Sequence, residues 1–257
     1  MKRVTQKKAE PRVSCWTGTW RRCGSVVLLS LALGACASGP NANPKDPLEP
    51  FNRSMFEFND ALDQAVLKPV ATAYKAATPS LFRQGVGNFF NNLEDLWSFV
   101  NHVLQLKGEG AANSLIRVSV NTVFGLGGVL DVASEMQIER KSEDFGQTLG
   151  SWGVGSGPYV VLPFFGPSTL RDTAALPVDK TAGDPVTKMD DVALRNTLWS
   201  LRVVDRRAQL LRAGELLEDV ALDKYSFFRD SYLQRRRNEV FDGNPPDESQ
   251  DDPSVEK

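Results

Sequence analysis

The stretch PFNRSMFEFNDALDQAV, residues 50–66, decides the fold class of this chain. Its large apolar side chains recur at steps of three and four residues, which is the spacing of one face of an α-helix. They are Phe51, Met55, Phe58, Leu62 and Val66. Pro69 follows, and it breaks or kinks a helix because its ring clashes with the carbonyl four residues earlier. We therefore predict an amphipathic helix that ends or bends near Pro69 and continues over residues 70–77 in a new direction.

The same periodicity recurs along most of the chain. A second amphipathic helix is predicted from Val86 to Leu106, and the C-terminal third adds two more, the last from Leu216 to about Val240. The apolar residues that mark these helices are Phe89, Leu93, Leu96, Trp97, Val100, Val103 and Leu104, then Leu194, Leu198, Leu201, Ala208 and Leu211. The basic run 235–237 near the last helix end suits the negative pole of a helix dipole. The sequence therefore predicts an all-α fold.

Residues 111–135 are largely apolar and carry few charges. The β-branched residues over 116–124 permit a strand, but the wide spacing of the charges and the helical neighbours favour a helix. Gly125, Gly127 and Gly128 indicate a tight turn or a close backbone approach after it.

A second apolar stretch, residues 152–170, is dense in glycine and proline. That density excludes a long regular element. Because Phe164 and Phe165 would be unfavourable in water, we predict an apolar loop or re-entrant segment. It is either buried in the protein or inserted into lipid, and the sequence permits both.

The N-terminal region carries a bacterial lipobox, Leu33-Gly34-Ala35-Cys36. Basic residues precede an apolar run from Val26 to Ala35, which suits a signal-peptide core and is too short to span a bilayer. We predict that lipoprotein signal peptidase removes residues 1–35 and that Cys36 receives a diacylglyceryl group and an N-acyl chain. Two acyl chains already anchor a protein stably. An ordinary secretory signal with an incidental cysteine is the alternative.

Removal of residues 1–35 changes both the charge and the cysteine content. Seven Lys and Arg and one Glu leave, so the formal charge falls from −2 to about −8 over the remaining 222 residues. Such an acidic chain lacks the clustered cations that nonspecific nucleic-acid binding needs. Cys15 and Cys23 leave with the signal and Cys36 is consumed by lipid, so we expect no disulfide and no cysteine metal site.

The chain divides into four predicted segments. They are a signal peptide over 1–35, a flexible tether over 36–46, a helical domain over 47–241 and a disordered acidic tail over 242–257. Ala37, rather than an aspartate, follows the lipidated cysteine, and this favours the outer membrane over retention in the inner membrane.

No catalytic constellation emerges from the sequence. His102 is the only histidine, and no Gly-x-Ser-x-Gly motif accompanies it. Two acidic pairs are typical of solvated helix starts rather than of an acid and base: Glu143-Asp144 and Asp190-Asp191. With one histidine and no free cysteine, zinc is not expected either. We therefore predict a protein that is not an enzyme and needs no metal or cofactor beyond the covalent lipid on Cys36.

A series of ordered motifs resembles the MlaA (VacJ) lipoprotein family. The motifs are Asp46 to Arg53, Phe56 to Asn59, Val66 to Ala71, Gly87 to Leu93, Glu143 to Gly150, Gly157 to Pro163 and Gly166 to Asp172. The resemblance extends over residues 46–237, nearly the whole predicted domain.

The resemblance implies a fold, a function and partners. Members are outer-membrane lipoproteins of Gram-negative bacteria, built as a ring-like bundle of helices in the inner leaflet around an amphipathic channel. They remove glycerophospholipids misplaced in the outer leaflet and pass them to a soluble periplasmic carrier, MlaC, which maintains lipid asymmetry. They also associate with trimeric porins.

Two apolar stretches are the candidates for channel formation or membrane contact, residues 115–132 and 152–170. Arg117 and Asp131 are isolated charges in the first stretch, so they either face a wet lumen, pair with each other or lie at the membrane interface. The other candidates are Phe124, Leu126, Val129, Leu130, Trp152, Tyr159, Phe164 and Phe165. A structural lipoprotein that ties the outer membrane to periplasmic partners, and a lipid hydrolase that uses His102, remain the alternative functions.

Overall fold

The computed structural model describes residues 43, 46–220 and 222–246 of the 257-residue chain. The predicted signal peptide, the lipidation site Cys36 and residues 247–257 of the predicted tail lie outside the described residues. The chain divides into two units at Pro47 and Leu48. In the first unit, the amide of Asp46 donates to the carbonyl of Asn43 at 2.9 Å. The helices and strands from Glu49 to Val240 belong to the second unit.

The described part of the second unit is mostly helical, as the apolar periodicities predict. Its helices are α1 (Glu49–Leu62), α2 (Lys68–Ala77), α3 (Ser80–Leu104), α4 (Gly108–Val123), α5 (Val132–Glu135), α6 (Phe145–Ser151), α7 (Leu170–Thr181), α8 (Val192–Val220) and α9 (Lys224–Val240). A π-helical turn, Asp63–Leu67, a 3₁₀ turn, Pro185–Lys188, and a two-stranded hairpin of β1 (Tyr159–Leu162) and β2 (Gly166–Thr169) complete the set.

Pro69 does not end the first helix, because a π-helical turn precedes it. The amide of Lys68 donates to the carbonyl of Asp63, five residues back rather than four. This wider turn leaves room for the proline ring. It also interrupts the regular hydrogen-bond ladder at the point where Pro69, which has no amide hydrogen, cannot donate. The helical path therefore runs on from α1 through the π-helical turn into α2.

Two predicted boundaries are displaced. Helix α3 begins at Ser80, directly after Pro79, rather than at Val86. The boundary predicted at Leu216 is wrong, because α8 continues to Val220 and α9 starts at Lys224. Asp223 supplies the start signal for α9, since its carboxylate accepts from the amide of Tyr225 at 3.1 Å.

The apolar stretch 111–135 forms a helix, and the strand alternative does not hold. Helix α4 extends to Val123, and a glycine-rich turn follows it. Gly128 has φ +94° there, and a Cβ at this position would lie 2.6 Å from the side-chain nitrogen of Asn92. The glycine is thus needed both for the backbone conformation and for the close approach of α3.

The stretch 152–170 contains the hairpin, which the sequence did not predict. The strands pair antiparallel, with Tyr159 opposite Thr169 and Leu162 opposite Gly166. Two asparagines of α1 bind the outer edge of β1. Asn52 bonds to Tyr159 O at 3.0 Å and Val161 N at 2.8 Å, and Asn59 bonds to Leu162 O at 2.9 Å and Phe164 N at 2.8 Å. These side chains complete the hydrogen bonding of a strand that has one backbone neighbour.

The first residues after α9 form a helix end. The amide of Gly243, at φ +88°, donates to Asn238 O at 2.9 Å. Asp242 forms an ion pair of 2.6 Å with Lys107. The described beginning of the predicted tail, residues 242–246, is therefore tied to the domain.

Polar side chains occupy much of the interior, and the apolar stripes face outward. Helix α3 buries Asn92, Asp95, Ser98, Asn101 and His102, while its Leu96, Val100, Val103 and Leu104 are exposed. Helix α1 likewise buries Asn52 and exposes Phe51 and Phe58. Among the described residues, buried apolar side chains form two small clusters, one of Tyr159, Val161 and Tyr225 and another of Ala71, Ala208 and Leu211. No helix within residues 46–220 or 222–246 is long and apolar enough to cross a membrane.

Candidate functional site

A cavity of about 470 Å³ lies among the helices of the second unit. Three helices line it with residues spaced at three, four and seven positions, so each helix presents one face. The lining residues are Gly87, Phe90, Asn91 and Glu94 from α3, Arg202, Asp205, Arg206 and Gln209 from α8, and Tyr232, Arg235, Arg236 and Glu239 from α9. The loop before α6, α6 itself, β2 and α7 add Arg140, Ser142, Asp144, Gln147, Pro167, Ser168, Asp172, Leu176 and Asp179.

The lining carries five arginines and six carboxylates, so its charges nearly balance. Most of them are paired. Arg236 is the most constrained: its Nη2 lies 2.6 Å from Asp144 Oδ1, and its Nε lies 3.0 Å from Asp172 Oδ2. Tyr232 donates to the same Asp172 oxygen at 3.0 Å. Burial alone would raise the pKa of Asp172, but the hydrogen bonds and charge of Arg236 outweigh it and hold that pKa below its usual value. The prediction that Arg236 serves the helix dipole therefore missed its main role, which is to join α9 to α6 and α7.

Two other arginines are also held in place. Arg202 forms an ion pair with Asp184 at 2.9 Å, and its guanidinium lies 4.7 Å from the ring centre of Phe90. Arg140 bonds to Asp95 at 2.6 Å. These groups shape the wall and have little freedom to turn toward a ligand.

Arg206 and Arg235 are the loosely held cations of the lining. Their side chains are 71% and 68% exposed, and their ion-pair distances are longer, 3.6 Å to Glu94 and 3.4 Å to Glu239. Exposed pairs of this kind contribute little stability. These two guanidinium groups can therefore reorient toward an anionic group such as a phosphate.

Two carboxylic acids of the lining have no ion pair among the described residues. Asp205 accepts hydrogen bonds from Tyr74 Oη at 3.0 Å and from Gln209 Nε2 at 2.7 Å. Asp179 accepts from Trp97 Nε1 at 2.8 Å and from the amide of Phe145 at 2.9 Å. Burial raises the pKa of both groups above the ordinary aspartate value, because their hydrogen bonds compensate it only in part.

Arg117 and Asp131, the lumen candidates, lie outside this cavity. They pair with each other at 3.0 Å, and Arg117 is fully buried, with a second ion pair of 3.1 Å to Asp95. Hydrogen bonds from Ser134, Asn121 and Arg117 outweigh burial and lower the pKa of Asp131. Of the alternatives that the sequence left open, mutual pairing is the one found in the structure.

The apolar candidates also lie away from the cavity lining. Seven of them have exposed fractions between 41% and 74%, namely Phe124, Leu126, Val129, Leu130, Trp152, Phe164 and Phe165. Tyr159 is fully buried beside Tyr225, so it does not belong to an outer surface. Phe164 and Phe165 stand at the tip of the hairpin.

The acidic pair at residues 143 and 144 departs from its prediction in one position. Asp144 does cap α6, accepting from the amide of Gln147 at 2.8 Å. Glu143 is not solvated: it is buried and pairs with Lys107 at 3.0 Å. His102 is buried beside it, facing α4. No cluster of His, Cys, Asp and Glu suited to a metal ion occurs in the described part of the chain.

The cavity was not predicted from the sequence, although a signal for it is present. The predicted helices rest on apolar stripes, whereas the cavity is formed by polar stripes on the same helices. The positions 202, 205, 206 and 209, and likewise 232, 235, 236 and 239, repeat charged and polar residues at helical spacing. Such a stripe on an amphipathic helix is ordinarily assigned to solvent, so periodicity alone did not distinguish it from a lining.

A model of the MlaA lipoprotein family matches residues 44–239. The chain belongs to the MlaA family. It is 38% identical over 211 residues to the intermembrane phospholipid transport system lipoprotein MlaA of Escherichia coli, with 80% of this chain and 83% of that protein covered. It is 34% identical over 227 residues to the MlaA lipoprotein of Haemophilus influenzae, covering 85% and 90%.

A solved structure that concerns the structural basis for maintenance of bacterial outer membrane lipid asymmetry is also similar. The TM-score is 0.66 at 37% sequence identity, and the alignment covers 77% of this chain and 99% of the other. The resemblance inferred from residues 46–237 and the helical MlaA fold are thereby confirmed.

Proposed function

We propose that this MlaA lipoprotein removes misplaced glycerophospholipids from the outer leaflet of the outer membrane through its charged cavity. The observation that carries the proposal is the inverted distribution of its side chains: arginines and carboxylates line a cavity among the helices, while many large apolar residues are exposed. The relatives' role in intermembrane phospholipid transport supports it.

The physical requirement is a polar path for a lipid headgroup. A phospholipid that leaves the outer leaflet must bring its charged headgroup past about 30 Å of hydrocarbon, which is unfavourable without polar partners. A cavity with balanced charges offers those partners, and its loosely held Arg206 and Arg235 suit a phosphate. No bond is made or broken, so no reactive residue is needed, and the buried His102 has no part in the transfer.

The outer apolar residues are the proposed contact with the inner leaflet. The hairpin tip, with Phe164 and Phe165, and the turn that contains Phe124 and Leu126 expose side chains that favour lipid over water. Acylated Cys36 is the proposed anchor, on the periplasmic side, and the residues that follow it form the tether. Acting together, the anchor and these loops then hold the cavity at the membrane.

The proposed partners follow from the family. A soluble periplasmic carrier of the MlaC kind would accept the lipid, and a trimeric porin would accompany the lipoprotein in the outer membrane. Cross-linking in intact cells, followed by identification of the cross-linked partners, tests both.

The test of the function is made in the protein's own bacterium. Deletion of the gene is expected to raise the phospholipid that is accessible on the surface of intact cells, and the wild-type gene is expected to restore it. Arg206→Glu with Arg235→Glu is expected not to restore it, because the two mobile cations of the cavity are reversed. Arg212→Glu is the matched control, since Arg212 lies on α8, exposed and outside the lining.

Three outcomes would each contradict a part of the proposal. Unchanged surface phospholipid in the deletion strain would exclude the transport role and favour a structural tether. Full complementation by the folded double variant would exclude the cavity as the path. A Cys36→Ala form that complements fully would show that the lipid anchor is dispensable.

A further inference from the structure

A second, apolar groove of about 570 Å³ lies between α2 and α8. We call it the α2–α8 groove. Each helix lines it with residues at the same helical spacing, so one face of α2 lies opposite one face of α8 across the groove. They are Val70, Ala73, Tyr74 and Ala77 on α2, and Thr197, Ser200, Leu201 and Val204 on α8.

Four of the eight side chains that line the groove are small. Alanine at 73 and 77 faces serine and threonine at 200 and 197, and none of these reaches far across the gap. Beyond the groove residues of α8, Ala208 and Leu211 are buried against Ala71 of α2. Two helices that pack closely at one part of their contact therefore leave a space at another. The lining contains no arginine, lysine or carboxylate.

Tyr74 connects the groove to the charged cavity. It lines the groove, and its hydroxyl donates to Asp205 Oδ1 at 3.0 Å. Asp205 lines the charged cavity, and Val204, the preceding residue, lines the groove. Burial and the bond to Asp205 raise the pKa of Tyr74 to about 12, so the phenol keeps its proton at neutral pH. One hydrogen bond thus separates an apolar space from a charged one.

The groove also continues into an apolar surface. Val66 and Val70 are exposed along the helical path that leads into α2, and Leu194 is exposed on α8, one helical turn before Thr197. An apolar chain can therefore approach the groove over exposed apolar side chains. A ligand that fills both spaces must therefore be apolar at one end and charged at the other.

We propose that the α2–α8 groove binds an acyl chain of the same phospholipid whose headgroup occupies the charged cavity, with Tyr74 and Asp205 at the boundary between them. The inference rests on the proposed function and extends it, since it assigns a place to the part of the ligand that the charged cavity cannot hold. The occupant is a lipid chain because the groove is uncharged and continuous with the exposed apolar surface, and because it adjoins the headgroup cavity.

Photo-cross-linking of the purified, full-length lipoprotein tests the site directly. Vesicles of phosphatidylethanolamine and phosphatidylglycerol would contain one of two probes, a phosphatidylethanolamine with a diazirine at the end of an acyl chain or one with a diazirine on the headgroup. We expect the acyl probe to label residues 70–77 and 197–204, and the headgroup probe to label the stripes at 202–209 and 232–239. Labelling is located by mass spectrometry of the peptides.

A matched pair of variants separates the groove from general contact with lipid. Ala73→Phe fills the groove, whereas Ala76→Phe places the same ring on an exposed part of α2 outside it. We expect Ala73→Phe to lose acyl labelling of 197–204 and to lose complementation in the deletion strain, while Ala76→Phe keeps both. Ser200→Phe fills the groove from α8 and is expected to repeat the loss. Circular dichroism melting confirms that each variant is folded.

The possible outcomes distinguish a failure of the proposed acyl site from a failure of the proposed function. If the wild-type gene does not lower surface phospholipid, the proposed function fails. If the wild type does so but folded Ala73→Phe and Ser200→Phe match Ala76→Phe in labelling and complementation, the groove is not the acyl site. Cross-links between two copies of the chain at residues 70–77 would overturn the proposal in favour of a protein contact.

Discussion

Arg236 lies between Asp144 and Asp172 at 2.6 and 3.0 Å, while Arg206, on the neighbouring wall of the same cavity, meets one carboxylate at 3.6 Å. The first guanidinium is buried and its partners fix it in place, whereas the second is largely solvated. The two residues are of the same type, but one supports the wall and the other is available to a ligand. Their substitution should therefore affect different measurements.

Arg236→Met is expected to destabilise the protein by about 3 kcal/mol, because Asp144 loses its cation and the buried Asp172 keeps only Arg171 at 3.0 Å. Urea denaturation followed by circular dichroism measures the change. Arg235→Met is the neighbouring control, and its exposed side chain predicts a change below about 0.5 kcal/mol. Equal effects of the two substitutions would contradict the assignment of Arg236 to the wall.

The lowered pKa of Asp172 predicts how the free energy of unfolding depends on pH. Its pKa in the folded protein is lowered by Arg236 despite burial, so the folded state releases this proton more readily than the unfolded chain does. The stabilisation is complete above the unfolded pKa of about 4 and is lost as pH falls through the folded pKa. Between pH 7 and pH 3, the free energy of unfolding is expected to fall less in Asp172→Asn than in the wild type, and the variant starts from a lower value at pH 7. Urea denaturation at each pH measures it. Parallel curves for the two proteins would exclude this carboxylate as a source of the acid sensitivity.

At the scale of elements, the hairpin depends on α1 as much as on its own strands. Asn52 and Asn59 are seven residues apart, two helical turns, and each bonds to one amide and one carbonyl of β1 or of the turn that follows it. At each point, the side-chain amide of an asparagine makes the hydrogen bonds that a neighbouring strand would otherwise make. The hairpin is therefore positioned by a helix that carries no strand-like signal.

Asn52→Ala is expected to cost about 1–3 kcal/mol, because it leaves the buried Tyr159 carbonyl and Val161 amide unpaired. Thermal melting measures the loss, and hydrogen exchange of residues 159–169 is expected to accelerate. Asn52→Asp is the informative comparison, since it keeps the acceptor for Val161 but loses the donor to Tyr159. An unchanged exchange rate in Asn52→Ala would show that the two strands are stable without the side chain of Asn52.

The sequence predicted the helices of this fold well and its hairpin and cavity poorly, for physical reasons. A helix of fourteen or more residues, such as α1 or α3, repeats its period several times, so the pattern is strong. The strands have four residues each, too few to establish an alternation. The cavity arises when polar stripes of three helices meet, and their meeting depends on contacts distant in sequence, such as that of Arg236 with Asp144.

At the scale of the whole described domain, polarity is inverted relative to a water-soluble bundle. Buried charged groups are accommodated because they pair with one another, as Arg117 does with Asp95 and Asp131. Exposed apolar residues then need lipid or a partner rather than a core. Polar networks consequently make up much of the interior of the described fold.

The hairpin tip is expected to contribute measurably to membrane binding. In a Cys36→Ala background, which removes the acyl anchor, Phe164→Ser with Phe165→Ser should weaken vesicle binding by about 3 kcal/mol, or about 100-fold. Flotation of the protein with phosphatidylethanolamine and phosphatidylglycerol vesicles measures the partition. Phe164→Leu with Phe165→Leu keeps the apolar character and should bind nearly as the parent does. Equal binding of the serine and leucine forms would place the tip outside the membrane.

The π-helical turn at Asp63–Leu67 has a consequence for how insertions and deletions act in this segment. A π-helical turn accommodates one residue more than the α-helix around it, and each residue of an α-helix advances the facing direction by about 100°. The turn therefore takes up the extra residue while Asn52 and Asn59 still face the hairpin and Tyr74 still faces α8. Loss of a single residue from this turn is expected to give a regular α-helix that keeps Tyr74 beside Asp205, whereas a deletion within the α-helical part of α2 before Tyr74 would turn its ring by about 100°.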